Sequence, residues 1–237
     1  MTDSGERKTC RLDGRLACAA SLVREGAVIA DVGTDHAYIP VYLLQTGRIR
    51  YAVASDINRG PLERAMAHAV QYGTADRMRF VLADGLCGLE PERDGVTDFV
   101  ICGMGGELIA RILGKSDAPK QPGMRLILQP MTAADDLRRF LGESGYAITE
   151  EKLCRAAGKL YTCMAASYDG VRRTYSPAEL LLGPRNIENR EPLFDEFAAG
   201  IEKKLETRIA GLTAGQLDSS AERACLDEIR LIRRNGA

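Results

Sequence analysis

Short apolar runs, each closed by a turn and followed by a stretch of helical spacing, recur through the first two thirds of this chain. Residues 27–32 read as a buried strand, turned at Gly33, Thr34 and Asp35. Residues 39–44 follow as a helix, with Pro40 in its first turn and Gly47 past its end. Further strands are expected at 51–55, 80–83, 99–102 and 125–129. Helices are expected at about 58–72, 107–113 and 133–144, closed by Gly73, Gly114 and Gly145. Strands that alternate with helices are joined by crossovers and therefore run parallel. The pattern predicts an α/β doubly wound sheet.

After Gly145 the rhythm changes. Residues 146–154 and 159–167 read as two long strands joined by a short connection at 155–158, an antiparallel hairpin at the sheet edge. Parallel crossovers ending in such a hairpin are the outline of a class I methyltransferase domain, Rossmann-like in its winding. From about Tyr175 strand runs stop. Leu193, Phe194, Phe197, Ile201, Leu205, Ile209 and Leu212 mark one apolar helix face, and Leu217, Ala221, Cys225, Ile229 and Ile232 a weaker one. A break at 213–215 lets the two pair as an intramolecular coiled-coil hairpin. A dimerisation helix is the competing reading, with a monomer favoured. The expected division is 1–169 for the sheet domain and 170–237 for a C-terminal α-helical coiled-coil domain.

Composition removes several function classes. Lys plus Arg is 32 and Asp plus Glu is 33, so bulk positive charge cannot be what holds a nucleic acid. The most apolar stretch, around 126–128, is far too short to cross a bilayer, which argues against a membrane partner. The first nine residues are polar and lack signal-peptide character. The seven cysteines include no pair at C-x-x-C spacing, so free thiols in a reducing cytoplasm are expected. With two histidines and no zinc-type spacing, no metal is expected.

The strand ends carry the chemistry. The first closes in Asp31, Val32, Gly33, Thr34, Asp35, where a nucleotide-binding crossover meets its ligand. Gly33 permits close backbone approach. Asp35 stands where a dinucleotide fingerprint has its second glycine, and a carboxylate there repels a pyrophosphate. It suits instead a ligand with positive charge and no phosphate, such as S-adenosylmethionine, with its sulfonium and ammonium. Ordinary turn and cap chemistry competes for each aspartate taken singly. The second strand closes in Asp56 and Ile57, where an acidic side chain accepts from ribose hydroxyls. The third closes in Asp84 and Gly85, with Asp84 placed for an adenine amino group. The fourth closes in Gly103, Met104, Gly105 and Gly106; so many glycines mark a loop that passes very close to something, here the acceptor.

In order, these segments are Ala30 to Pro40 (ADVGTDHAYIP), Ser55-Asp-Ile with Gly60-Pro61, Asp84-Gly-Leu, Gly103-Met-Gly-Gly, Leu126-Ile-Leu-Gln-Pro and Gly158-Lys-Leu-Tyr. Together they resemble the bacterial tRNA (adenine-22-N1)-methyltransferase family, from about Arg15 onward and most weakly after Gly183. Cys102, Met131 and Thr162 depart from the family pattern, where Ala, Asn and Glu are expected. The resemblance implies S-adenosyl-L-methionine as donor and N1 of an adenine in tRNA as acceptor.

On that reading Asp31 holds the donor's ammonium side and Asp35 is the catalytic carboxylate that orients the base, although the two assignments can be exchanged. Asp56, Ile57, Asp84, Gly33, Gly85 and Gly103 complete the cofactor set. His36, Tyr38, Met104, Gly105, Arg15 and Arg59 are the substrate candidates, with Tyr38 stacking on the base. Helix capping competes for His36 and core packing for Tyr38. Arg7, Lys8, Arg11, Arg48 and Arg50 join Arg15 and Arg59 as candidate phosphate contacts, against the reading that they form a solvated face. Competing functions are methylation of another RNA or of a protein, a non-catalytic adenosyl- or RNA-binding module, and, more distantly, a nicotinamide oxidoreductase.

Overall fold

The computed structural model describes residues 9–235. Arg7 and Lys8, two of the candidate phosphate contacts, lie outside them. Seven strands form one sheet in the order β3-β2-β1-β4-β5-β7-β6. They are β1 Ala27–Val32, β2 Ile49–Asp56, β3 Met78–Leu82, β4 Asp98–Gly105, β5 Arg125–Thr132, β6 Tyr146–Ala156 and β7 Lys159–Tyr168. The first five are parallel; β7 runs antiparallel to both β5 and β6. The expected doubly wound sheet with a terminal hairpin is thus what forms. The β6–β7 turn is the two residues Ala157 and Gly158, both at positive φ (46° and 74°), the geometry that continues strand twist through a tight hairpin. β6 runs to Ala156, farther into the turn than the sequence suggested, while β7 starts at Lys159 as expected.

Helices cover both faces: α1 Gly14–Ser21, α2 Tyr38–Gln45, α3 Arg59–Gln71, α4 Pro91–Asp94, α5 Gly106–Gly114 and α6 Ala134–Glu143. The sequence reading missed α1, which is short and rich in alanine. Asp13 caps it by accepting from the Leu16 amide at 2.7 Å. Gly14 lets it lie against β6, because a Cβ there would sit 2.2 Å from the Arg155 carbonyl oxygen. Every residue of β1 is buried, as a strand covered on both faces requires. The strand order reverses between β1 and β4, so the crevice of the fold opens at their carboxyl ends.

The C-terminal helices are α7 Pro177–Leu182, α8 Pro184–Asn189, α9 Phe194–Ala214 and α10 Ser220–Arg234. Ion pairs Glu206–Arg230 and Glu202–Arg233 set α9 and α10 antiparallel. Phe194, Ala198, Cys225 and Ile229 bury their apolar faces together with Leu153 of β6. Leu217 and Ala221 do not belong to this seam: both are exposed, before α10 settles against its partner. The helical unit is fastened to the sheet by Arg138 of α6. It pairs with Glu151 of β6 at 2.7 Å and donates to the Leu180 carbonyl at 2.6 Å, all within the core. Among the described residues no helix is long and apolar enough to cross a membrane.

Candidate active site

The carboxyl ends of β1 and β4 frame a cavity of about 370 Å³, lined by Asp31, Gly33, Asp35, His36, Tyr38 and Gly103, with Arg15, Leu16 and Cys102 closing its wall. Seven of the residues singled out from sequence therefore meet in one place. Gly33 (φ 76°) and Gly103 (φ 80°) keep both strand ends free of side chains, and Gly103 is a bulge, skipped in the β4–β5 register. The tip of Met104 rests on Gly33: a Cβ on Gly33 would lie 1.9 Å from the Met104 methyl carbon.

The two aspartates of the first loop have opposite surroundings. Asp31 is buried, and burial pushes its carboxyl up to about 6 against a hydrogen bond from Thr34 that favours the ionised form. Among the described residues no cation is paired with it. Asp35 lies at the mouth, 64% exposed, with its Oδ1 held by Arg64 Nη2 at 2.5 Å and its Oδ2 3.6 Å from His36 Nε2. Arg64, from α3, was not singled out in the sequence; nothing in its charged helix face marks it. His36 does not cap α2. That position is Ala37, at φ 51°, and its amide is taken by Thr34 Oγ1. His36 is therefore free to face the cavity, and a non-glycine residue at positive φ marks backbone strain beside it.

An aromatic row continues from the mouth. The ring centroids of His36 and Tyr38 are 5.3 Å apart, Tyr38 and His68 4.8 Å, and His68 and Tyr72 4.6 Å. Tyr38 is 40% exposed, so one end of the row is open. On the opposite wall buried Gln129 is a hub. Its Oε1 accepts from Arg15 Nη1 at 2.7 Å and from the Gly103 amide at 3.2 Å, while its Nε2 donates to the Pro130 carbonyl. Met131 sits beside it, in an adjacent groove that Tyr161, Phe197 and Lys204 also line.

The remaining candidates lie elsewhere on the carboxyl edge. Asp56 accepts from the Asn58 amide at 2.7 Å, and Ile57 next to it is 60% exposed. Asp84 faces Lys115 at 3.4 Å, and Gly85 packs on Ile112. Gly106 answers to packing: a Cβ there would lie 2.0 Å from the Ala133 carbonyl, so α5 can start only with glycine. Arg59 opens α3 and is exposed. Arg15, Arg48 and Arg50 are not free phosphate contacts. Arg15 is held by Gln129; Arg48 and Arg50 bind the Val23 and Gly26 carbonyls at the amino edge of the sheet, remote from the cavity.

Residues 12–164 match a methyltransferase domain. The chain is 33% identical over 192 residues to the tRNA (adenine(22)-N(1))-methyltransferase of Bacillus subtilis, covering 78% of each sequence. It also superposes on Streptococcus pneumoniae Sp1610 crystallised with S-adenosyl-L-methionine, with a TM-score of 0.78 and 33% identity over 91% of this chain and 97% of that one. The crystal structure of the B. subtilis m1A22 tRNA methyltransferase TrmK gives a TM-score of 0.78 with 26% identity, covering 95% of this chain and 98% of that one.

Proposed function

This chain belongs to the tRNA (adenine(22)-N(1))-methyltransferase family, and from that premise we propose how its own residues carry the reaction. The activity is S-adenosyl-L-methionine-dependent methylation of adenine N1 at position 22 of tRNA. The residues present fit that donor. Gly33 and Gly103 line the cavity at positive φ without side chains, and Asp31 and Asp35 make its first loop acidic. S-adenosyl-L-methionine supplies an electrophilic methyl group on a sulfonium.

The observation that carries the assignment of roles is Asp31, a buried carboxylate without a cation partner among the described residues. We assign it to the ammonium of the donor, which would provide the missing countercharge. Asp56 and the open apolar face of Ile57 are assigned to the adenosyl ribose and ring, with Asp84 and Gly85 at the rim beyond them. Adenine N1 has an in-plane lone pair and needs no deprotonation before it attacks, so alignment supplies much of the rate. Asp35, steadied by Arg64, is assigned to orient the exocyclic amine and to stabilise the positive charge that grows on the ring. His36 and Tyr38 would stack on the base, Met104 and Gly105 border its entry, and Arg11 and Arg59, both exposed, are the remaining candidates for phosphate. Residues 1–169 would form the donor-binding domain and 170–237 a helical domain that grips the tRNA outside the target base.

The test is nucleoside mass spectrometry of tRNA treated with enzyme and donor, with the modified position mapped. 1-Methyladenosine at position 22 is expected, with turnover falling at least tenfold in Asp35→Asn. Unchanged turnover in that variant would remove Asp35 from the role given to it.

A further inference from the structure

Behind the Arg15 wall of the cavity three thiols converge that the sequence spacing kept apart. Cys18 comes from α1, Cys154 from β6 and Cys163 from β7, and all three are buried. Their Sγ atoms lie within 4.8 Å of one another. The β6–β7 ladder fixes two of them: Cys154 stands opposite Tyr161 and Cys163 opposite Lys152, a diagonal pair on one sheet face. Helix α1 lays the third across them. Three points so disposed share a centre no more than about 2.8 Å from each, close to the ~2.3 Å of a metal–thiolate bond. We infer that Cys18, Cys154 and Cys163 form a binding site for a soft monovalent cation of the Cu(I) class, with three sulfur donors and no catalytic part in methyl transfer.

The chemistry of the donor set supports this. Soft sulfur donors select Cu(I) and zinc, but structural zinc takes four ligands. No fourth Cys, His or carboxylate joins the group among the described residues. A three-coordinate ion fits the donor set. Its binding displaces the thiol protons to solvent. Because Cys18 and Arg15 share α1, and Arg15 reaches Gln129, an ion here would also pin the wall of the cavity.

The full chain, reduced and kept anaerobic, should withdraw one equivalent of Cu(I) from its bathocuproine disulfonate complex. Cys87→Ser and Cys225→Ser should retain it, whereas Cys18→Ser and Cys154→Ser should lose at least a hundredfold in affinity. X-ray absorption on the loaded wild-type chain, which requires no variant to fold, should report three sulfur neighbours. Copper left with the chelator, copper lost in Cys87→Ser, or two-sulfur coordination would each overturn the site.

Discussion

Glu151 and Asp31 are both carboxylates inside this protein, and they are treated in opposite ways. Glu151 is fully enclosed and fully answered: Arg138 Nε meets Oε1 at 2.7 Å and the Arg185 amide meets Oε2 at 3.0 Å. Gly183 is required beside it, because a Cβ there would fall 2.5 Å from Oε2. Asp31 is nearly as enclosed, yet has Thr34 and no cation. A buried charge with its partner built in fastens two parts of the fold. One without a partner costs stability until something cationic arrives, which is what a binding site for a positively charged donor needs.

Glu151→Ala would strand the Arg138 guanidinium in the core and should cost about 3–5 kcal/mol in urea unfolding, while the folded fraction still binds donor normally. A loss below about 1 kcal/mol would mean that the buried pair does not fasten the helical unit. Asp31→Asn should do the reverse. With its carboxyl at about 6 in the fold against 3.8 in the free chain, Asp31 binds its proton more tightly when folded. That stabilising contribution is complete below pH about 3.8 and is lost as pH rises through about 6. At pH 7.5 the ionised group costs the fold about 3 kcal/mol, so the amide should raise stability by up to that amount while weakening donor binding by about a hundredfold or more. A variant that is both less stable and fully competent in binding would erase the contrast.

The same sign governs affinity. Donor binding to the wild-type chain should weaken about tenfold as pH falls from 7 to 5, and Asp31→Asn should be flat over that range. Equal slopes in the two proteins would assign the proton to another group. The smallest effect is expected at Tyr38→Ala, where loss of one stacking face should lower kcat/KM for tRNA by about tenfold, roughly 1–3 kcal/mol, with donor affinity unchanged.

Much of this was legible in the sequence wherever a residue acts through its neighbours in the chain. The strand ends at Asp31, Asp56, Asp84 and Gly103 follow from apolar runs meeting turn residues, and the hairpin follows from two long strands around Gly158. What could not be read is what the fold brings from a distance. Arg64 reaches Asp35 across 29 positions and Arg15 reaches Gln129 across 114. Arg48 looks like a free cation until β2 places it against the Val23 carbonyl. Gly106 shows the converse: a glycine in a functional-looking run is demanded by the Ala133 carbonyl behind it. Helix α1 escaped notice because its one clear signal is the Asp13 cap, and with it went the meeting of Cys18, Cys154 and Cys163.

The central claim is that Asp31 waits, partly protonated and without a cation, for the positive charge of the donor. Calorimetry of S-adenosyl-L-methionine binding at pH 6, in two buffers of different ionisation enthalpy, measures it directly. Release of a substantial fraction of one proton per donor bound, abolished in Asp31→Asn, is the expected result. Binding without proton release, or the same release from the Asn variant, would contradict it.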